Sequence, residues 1–99
     1  MSSPPEYQLV LFVTGASPNS VRAISNLKGI CERFLSGRYE LEVIDVYQNP
    51  ELAKKEQIIA LPTLIKKQPS PVRRLVGDMS DELKVVKGLG ISNFNSTNE

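Results

Sequence analysis

Two serines stand where a catalytic pair could work, because Ser17 and Ser20 are separated by two residues at the start of a predicted helix. The free amides of a helix N-terminus favour negative charge, so a hydroxyl there could support the thiolate of a bound thiol. The same hydroxyl can instead cap the helix, and Pro18 suits the first turn because it lacks an N–H group. We expect Ser17 and Pro18 to form a cap, with a thiol site as the alternative.

The remaining reactive groups exclude several classes of enzyme. The chain has one cysteine, Cys31, and no histidine. It therefore has no internal disulfide, no Cys–His nucleophile pair and no imidazole metal site. Cys31 falls on the apolar stripe of the predicted helix, and no basic side chain lies one turn away on the same stripe to lower its pKa. We expect a buried, unreactive thiol, and we predict no cofactor.

Three acidic residues, Asp78, Asp81 and Glu82, could offer carboxylate oxygens to a metal ion. They lie at the predicted start of a helix, however, where the helix dipole stabilises carboxylates without a metal. We therefore interpret Gly77 and Asp78 as parts of a structural turn, and we predict no metal site.

Basic residues are the main candidates for contact with another protein. Arg73 and Arg74 are neighbours in a predicted strand, so they face opposite sides, while Arg22 lies in the first predicted helix. A guanidinium can pair with a carboxylate through two hydrogen bonds, which favours Arg on a surface that meets an acidic partner. A solvated edge strand is the alternative for the arginine pair, and an ordinary surface is the alternative for Lys54 and Lys55.

Composition limits the size of the protein and the classes of partner. A chain of 99 residues with 40% hydrophobic content fits one domain. Its net charge of +1 gives no general field for nucleic acid or a membrane surface. The longest apolar run, Leu9 to Val13, is too short to span a membrane, and the polar start is unlike a secretory signal. We expect one cytoplasmic domain, ordered from about residue 7 to 91, and a polar C-terminal tail.

Periodicity predicts strands and helices in the order βαβαββα. The predicted strands are Tyr7–Val13, Tyr39–Val46, Thr63–Lys67 and Val72–Val76. The predicted helices run from Pro18 to about Leu35, from Glu51 to about Glu56 and from Asp81 to about Leu89. The apolar stripe of the first helix is predicted to contain Val21, Ile24, Leu27, Cys31 and Phe34. A parallel βαβ unit followed by an antiparallel hairpin gives an α/β fold, with a mixed four-stranded sheet and helices on both faces.

This order is the thioredoxin-like arrangement, and Ala60-Leu61-Pro62-Thr63-Leu64 resembles the cis-proline turn of that fold. The turn would lie beside the N-terminus of the first helix, where such folds keep a Cys-x-x-Cys pair that this chain lacks. Six blocks in order resemble the KaiB family of circadian-clock proteins. They are Phe12 to Gly15, Ser17 to Ala23, Val43 to Val46, Asn49 to Ala53, Ala60 to Leu64 and Pro71 to Asp78.

The resemblance implies a binding protein rather than an enzyme. KaiB-like proteins dock on the N-terminal ATPase ring of the clock kinase KaiC, then capture KaiA and compete with a thioredoxin-like sensor domain of a histidine kinase. The resemblance also implies a homodimer or homotetramer, and a resting tetramer in which the second half of the chain has a rearranged fold. Each segment from Asn49 to Leu89 has a consistent role in the thioredoxin-like form, which favours that form here.

Two hypotheses follow for function. The preferred one is a non-catalytic adaptor that binds and regulates a KaiC-type ATPase ring, in a circadian clock or a related stress response. Its contacts would come from the five basic residues named above. The alternative is a weak thiol- or glutathione-dependent oxidoreductase that uses Ser17 and Pro62. The absence of Cys-x-x-Cys and of histidine favours the adaptor, and no nucleic-acid or membrane partner is predicted.

Overall fold

A computed structural model describes residues 4–91, and its elements follow the predicted order. The strands are β1 Tyr7–Val13, β2 Tyr39–Asp45, β3 Thr63–Gln68 and β4 Arg73–Val76. The helices are α1 Pro18–Phe34, α2 Pro50–Lys55 and α3 Glu82–Leu89. Each boundary lies within one residue of its predicted place. The predicted polar tail, Ser92 to Glu99, is outside the described residues.

The strands form a mixed four-stranded sheet in the order β2-β1-β3-β4, as predicted. β1 is parallel to β2, with Leu9 opposite Leu41, which is the pairing that a crossover through α1 allows. β3 is antiparallel to β1, and β4 is antiparallel to β3. β2 and β4 are therefore the two edges of the sheet.

Helix α1 packs on the sheet through a stripe that differs from the predicted one at its start. Ala23, Leu27 and Cys31 are fully buried, as an apolar stripe requires. Val21 was predicted to lie on this stripe, and that prediction is wrong because its side chain is 54% exposed. Two residues turn a helix by more than half a circle, so a stripe that contains Ala23 leaves Val21 outside it. Ser20 is buried at this end of the helix instead.

Two apolar clusters hold the helices on opposite faces of the sheet, which confirms the predicted layers. The larger cluster joins the sheet to α1 and α3 and includes Leu11, Leu27 and Val86. The smaller cluster lies under α2. It contains Phe12, Ile44 and Ile65, with Val10, Val46, Leu52, Ile58 and Leu61 packed against it. Of the helices between residues 4 and 91, none is long and apolar enough to cross a membrane.

Candidate functional site

One end of the sheet brings together the start of α1 and the turn before β3. Phe12, near the end of β1, lies opposite Thr63, the residue that follows Pro62. The Leu61–Pro62 peptide bond is cis, and the carbonyl oxygen of Pro62 accepts a hydrogen bond of 3.0 Å from the amide of Gly77. Gly77 has a φ of 124°, a conformation that favours glycine because it has no Cβ. The structure thus places Pro62 and Gly77 in adjoining turns.

The hydroxyl groups at the start of α1 bond to one another. Ser17 is the N-cap of α1, and its Oγ accepts a hydrogen bond of 3.2 Å from the amide of Ser20. The same oxygen donates to Ser20 Oγ over 2.8 Å and lies 3.1 Å from Thr14 Oγ1. Ser20 Oγ also accepts from the amide of Thr14. These contacts occupy the two serines in fixing the helix start.

The Cys31 thiol is fully buried in α1. Burial, with a smaller contribution from the carboxylate of Glu32, raises the pKa of this thiol to about 12. A thiol with so high a pKa is protonated at neutral pH, and only the thiolate is a good nucleophile. Among residues 4–91, no three His, Cys, Asp or Glu side chains are grouped so that they could hold a metal ion.

Arg22 is held at the surface by the loop that follows β4. Its Nε lies 3.3 Å from Asp78 Oδ2, and its Nη2 donates to Asn19 Oδ1. The carbonyl oxygen of Asp78 accepts a hydrogen bond from Asn26 Nδ2, while its carboxylate accepts one from Ser80. The hydrogen bonds that the carboxylate accepts, first those from Ser80 and then that from Arg22, lower the pKa of Asp78. The Arg22 side chain stays 55% exposed, so it can still meet a partner.

Arg74 lies on the face of the sheet that α2 covers, and its guanidinium is engaged at the end of that helix. It donates to the carbonyl oxygen of Glu56 and, over 3.3 Å, to that of Gln57. The carboxylate of Glu56 lies 4.0 Å from Arg74 and 3.0 Å from Lys67 Nζ. The predicted contact of Arg74 with a partner stays a prediction, but the arginine has a role inside the protein as well.

The other predicted basic residues lie apart from one another. Lys54 and Lys55 are exposed in the last turn of α2, and the structure shows no ion pair for either within residues 4–91. Arg73 is exposed on the opposite face from Arg74, beside the buried Lys66. The five basic residues therefore form no single cluster, and they are divided between the α2 side and the α1–α3 side of the sheet.

Two exposed apolar residues flank α2 and were missed from the sequence. Tyr47 is 77% exposed before the helix, and Ile59 is 98% exposed after it. Exposed aromatic and aliphatic side chains are common anchors of protein interfaces. In the sequence, both residues lie in loops outside any apolar stripe. That position could not tell exposed residues from those that pack under α2.

The KaiB domain matches residues 10–91 of this chain. The chain belongs to the KaiB family. A circadian clock oscillator protein KaiB of Picosynechococcus sp. is 53% identical over 85 residues, which cover 86% of this chain and 82% of that protein. The family resemblance inferred from the six sequence blocks is confirmed.

Solved structures confirm the thioredoxin-like fold. The N-terminal domain of Synechococcus elongatus SasA superposes with a TM-score of 0.71 at 26% identity, covering 91% of this chain and 89% of that domain. Mitochondrial thioredoxin 3 of Saccharomyces cerevisiae gives a TM-score of 0.70 at 15% identity, covering 87% of this chain and 78% of the thioredoxin. The structure of this KaiB-family chain thus has the preferred fold rather than the rearranged alternative.

Proposed function

We propose that this protein is a non-catalytic adaptor that binds the ATPase ring of a KaiC-type kinase and regulates it. The observation that carries the proposal is membership of the KaiB family across residues 10–91, together with 53% identity to a circadian clock oscillator protein. The setting would be a circadian clock or a related stress response in the cytoplasm. A KaiA-like protein and a thioredoxin-like sensor domain of a histidine kinase are further proposed partners. The proposed assembly is a monomer in the complex and a homodimer or homotetramer in the free protein.

The chemistry at the end of the sheet supports binding rather than thiol exchange. The hydroxyls of Ser17 and Ser20 bond to each other and to Thr14, where redox thioredoxins carry cysteines. The protein's own thiol, Cys31, is buried with a pKa of about 12. No nucleophile of the redox type is therefore presented beside Pro62 within residues 4–91.

The proposed contact surface combines basic side chains with apolar anchors. Its basic members are Arg22, Lys54, Lys55, Arg73 and Arg74. Charges of this kind, facing an acidic surface, accelerate association and make it sensitive to salt. Tyr47 and Ile59 would supply the apolar area that slows dissociation. Because these residues lie on both the α2 side and the α1–α3 side of the sheet, a partner would have to contact both sides to meet all of them.

The test is direct mixing with the KaiC-type ATPase of the same organism, analysed by size-exclusion chromatography with light scattering. We expect a complex in at least one of the ATP-bound and ADP-bound states of the ring. A thiol-transfer assay with glutathione, run on the same preparation, should give only background activity. Absence of a complex in every nucleotide state, or thiol transfer clearly above background, would contradict the proposal.

A further inference from the structure

We propose that Arg74 is a positioning residue, which fixes the C-terminal end of α2 so that Lys54 and Lys55 are presented to the partner. The inference rests on the proposed adaptor function and refines it: of the five basic residues proposed for the contact surface, Arg74 acts through α2 instead of touching the partner. It concerns the geometry of a helix that carries two of the proposed contact residues.

The end of α2 has carbonyl groups that need donors. The last carbonyls of any helix lack partners within the helix. Here the amides of Gln57 and Ile58 bond back to Lys54 and Ala53, and Gln57 has a φ of 58°, so the chain turns away. The carbonyl oxygens of Glu56, which is the C-cap of α2, and of Gln57, the residue after it, accept from the guanidinium of Arg74. A cation at a helix C-terminus is also favoured by the helix dipole.

A carboxylate completes the attachment of α2 to the sheet. The Glu56 side chain is 23% exposed and lies 3.0 Å from Lys67 Nζ and 4.0 Å from the Arg74 guanidinium. Lys67 belongs to β3 and Arg74 to β4, so one glutamate connects the helix to both strands. A planar guanidinium can reach two carbonyls and a carboxylate at once, whereas the ammonium of a lysine has no such fork.

Helix α2 depends on these contacts because its own packing is weak. It contains only six residues, and none of them is buried. Isolated helices of this length are unstable in water, so contacts with the sheet must hold it. Leu52 packs at its start against the smaller apolar cluster, while the network of Arg74, Glu56 and Lys67 holds its end. Lys54 and Lys55 are the last two residues of α2, directly before Glu56.

Arg73 provides a matched control in the same strand. It is exposed, as Arg74 is, but it faces the other side of the sheet, beside Lys66. Within residues 4–91 it makes no hydrogen bond or ion pair with α2. Replacing Arg73 by Met removes the same charge from the same strand and leaves the end of α2 intact.

The first measurement is hydrogen exchange at the amides of Gln57 and Ile58 in the free protein. For Arg74→Met and Arg74→Lys we expect exchange to accelerate about tenfold. The reason is that loss of a hydrogen bond from a charged group raises the equilibrium constant for local opening by about that factor. Arg73→Met should exchange like the wild type. Wild-type exchange rates in both Arg74 variants would overturn the proposal, because α2 would then be held without the guanidinium.

The second measurement is dissociation from the KaiC-type ring at two salt concentrations. We expect both Arg74 variants to dissociate about tenfold faster, with the salt dependence of association unchanged from the wild type. Lys54→Met, which removes a proposed contact charge, should reduce that salt dependence. A reduced salt dependence in Arg74→Met, or full rescue by Arg74→Lys, would instead identify a direct charge contact and overturn the proposal.

The two measurements separate this inference from the proposed function. If the wild type forms no complex with the ring, the adaptor function fails, while the exchange rates still decide whether Arg74 holds α2. If exchange accelerates in the Arg74 variants but their binding to the ring is unchanged, Arg74 holds α2 without affecting the partner. That outcome would overturn the inference and leave the adaptor function standing.

Discussion

Lys66 is a buried cation with no opposite charge beside it among residues 4–91. Its residue is only 4% exposed, and burial, followed by repulsion from Arg73, lowers the pKa of its ammonium. The ammonium nitrogen lies 3.9 Å from the position that a Cβ on Gly90 would occupy, at the C-terminal end of α3. The dipole of α3 offsets part of the cost of burial there, but it does not replace an ion pair.

Replacing Lys66 by Met should therefore stabilise this fold. We expect the free energy of unfolding near neutral pH to rise by about 1 kcal/mol, because an unpaired buried charge is exchanged for an apolar side chain of similar length. Urea unfolding measures the change. Lys67→Met is the control, since Lys67 is paired with Glu56 and its loss should give no gain. Destabilisation by Lys66→Met would show that the ammonium is stabilising where it lies.

The advantage of Lys66→Met should also shrink at alkaline pH. The folded protein binds the Lys66 proton less tightly than the unfolded chain, in which a lysine side chain keeps its ordinary pKa of 10.5. Between the lowered pKa and 10.5 the unfolded state thus holds more protons, and the wild type gains stability as the pH rises. Unfolding curves should therefore show a smaller difference in unfolding free energy between the wild type and Lys66→Met at about pH 10 than at about pH 7. A constant difference between them would contradict this account.

At the scale of single elements, α3 depends on a cap from Asp81, which was predicted to be the first residue of the helix itself. Asp81 is the N-cap, and its Oδ1 accepts a hydrogen bond of 3.1 Å from the amide of Lys84. Asp81→Ala should lower the free energy of unfolding by about 1 kcal/mol, the usual cost of losing such a cap. Unchanged stability in Asp81→Ala would contradict this assignment of the cap.

The elements could be predicted because each has a local cause. The apolar run of β1 and the cap and proline at the start of α1 are local signals, so they could be identified without knowing the fold. Arg74 could not be interpreted in this way, because its partners, the carbonyls of Glu56 and Gln57, lie 18 and 17 positions away in the chain. The prediction that Val21 is buried was wrong for a different reason, because the exposure of Val21 depends on which side of α1 packs on the sheet.

At the scale of the whole molecule, the protein has a thioredoxin-like sheet, and in the proposed function it acts through its surface rather than through a thiol. The redox positions hold serines that fix the start of α1, and Arg22 is oriented by Asp78 at the same end of the sheet. On the other face, α2 carries lysines and is held at its end by β3 and β4. Both faces thus present cations, which in the proposed function would meet an acidic protein surface.

The most direct test of the adaptor function is the rate of ATP hydrolysis by the KaiC-type ring, titrated with this protein. We predict a saturable change in the rate that ends at a fixed ratio of protein to ring subunit. Arg22→Ala should require more protein for the same change, because it removes an exposed guanidinium, and its unfolding free energy should stay within about 0.5 kcal/mol of the wild type. A hydrolysis rate that does not respond to the wild-type protein at any ratio would contradict the account.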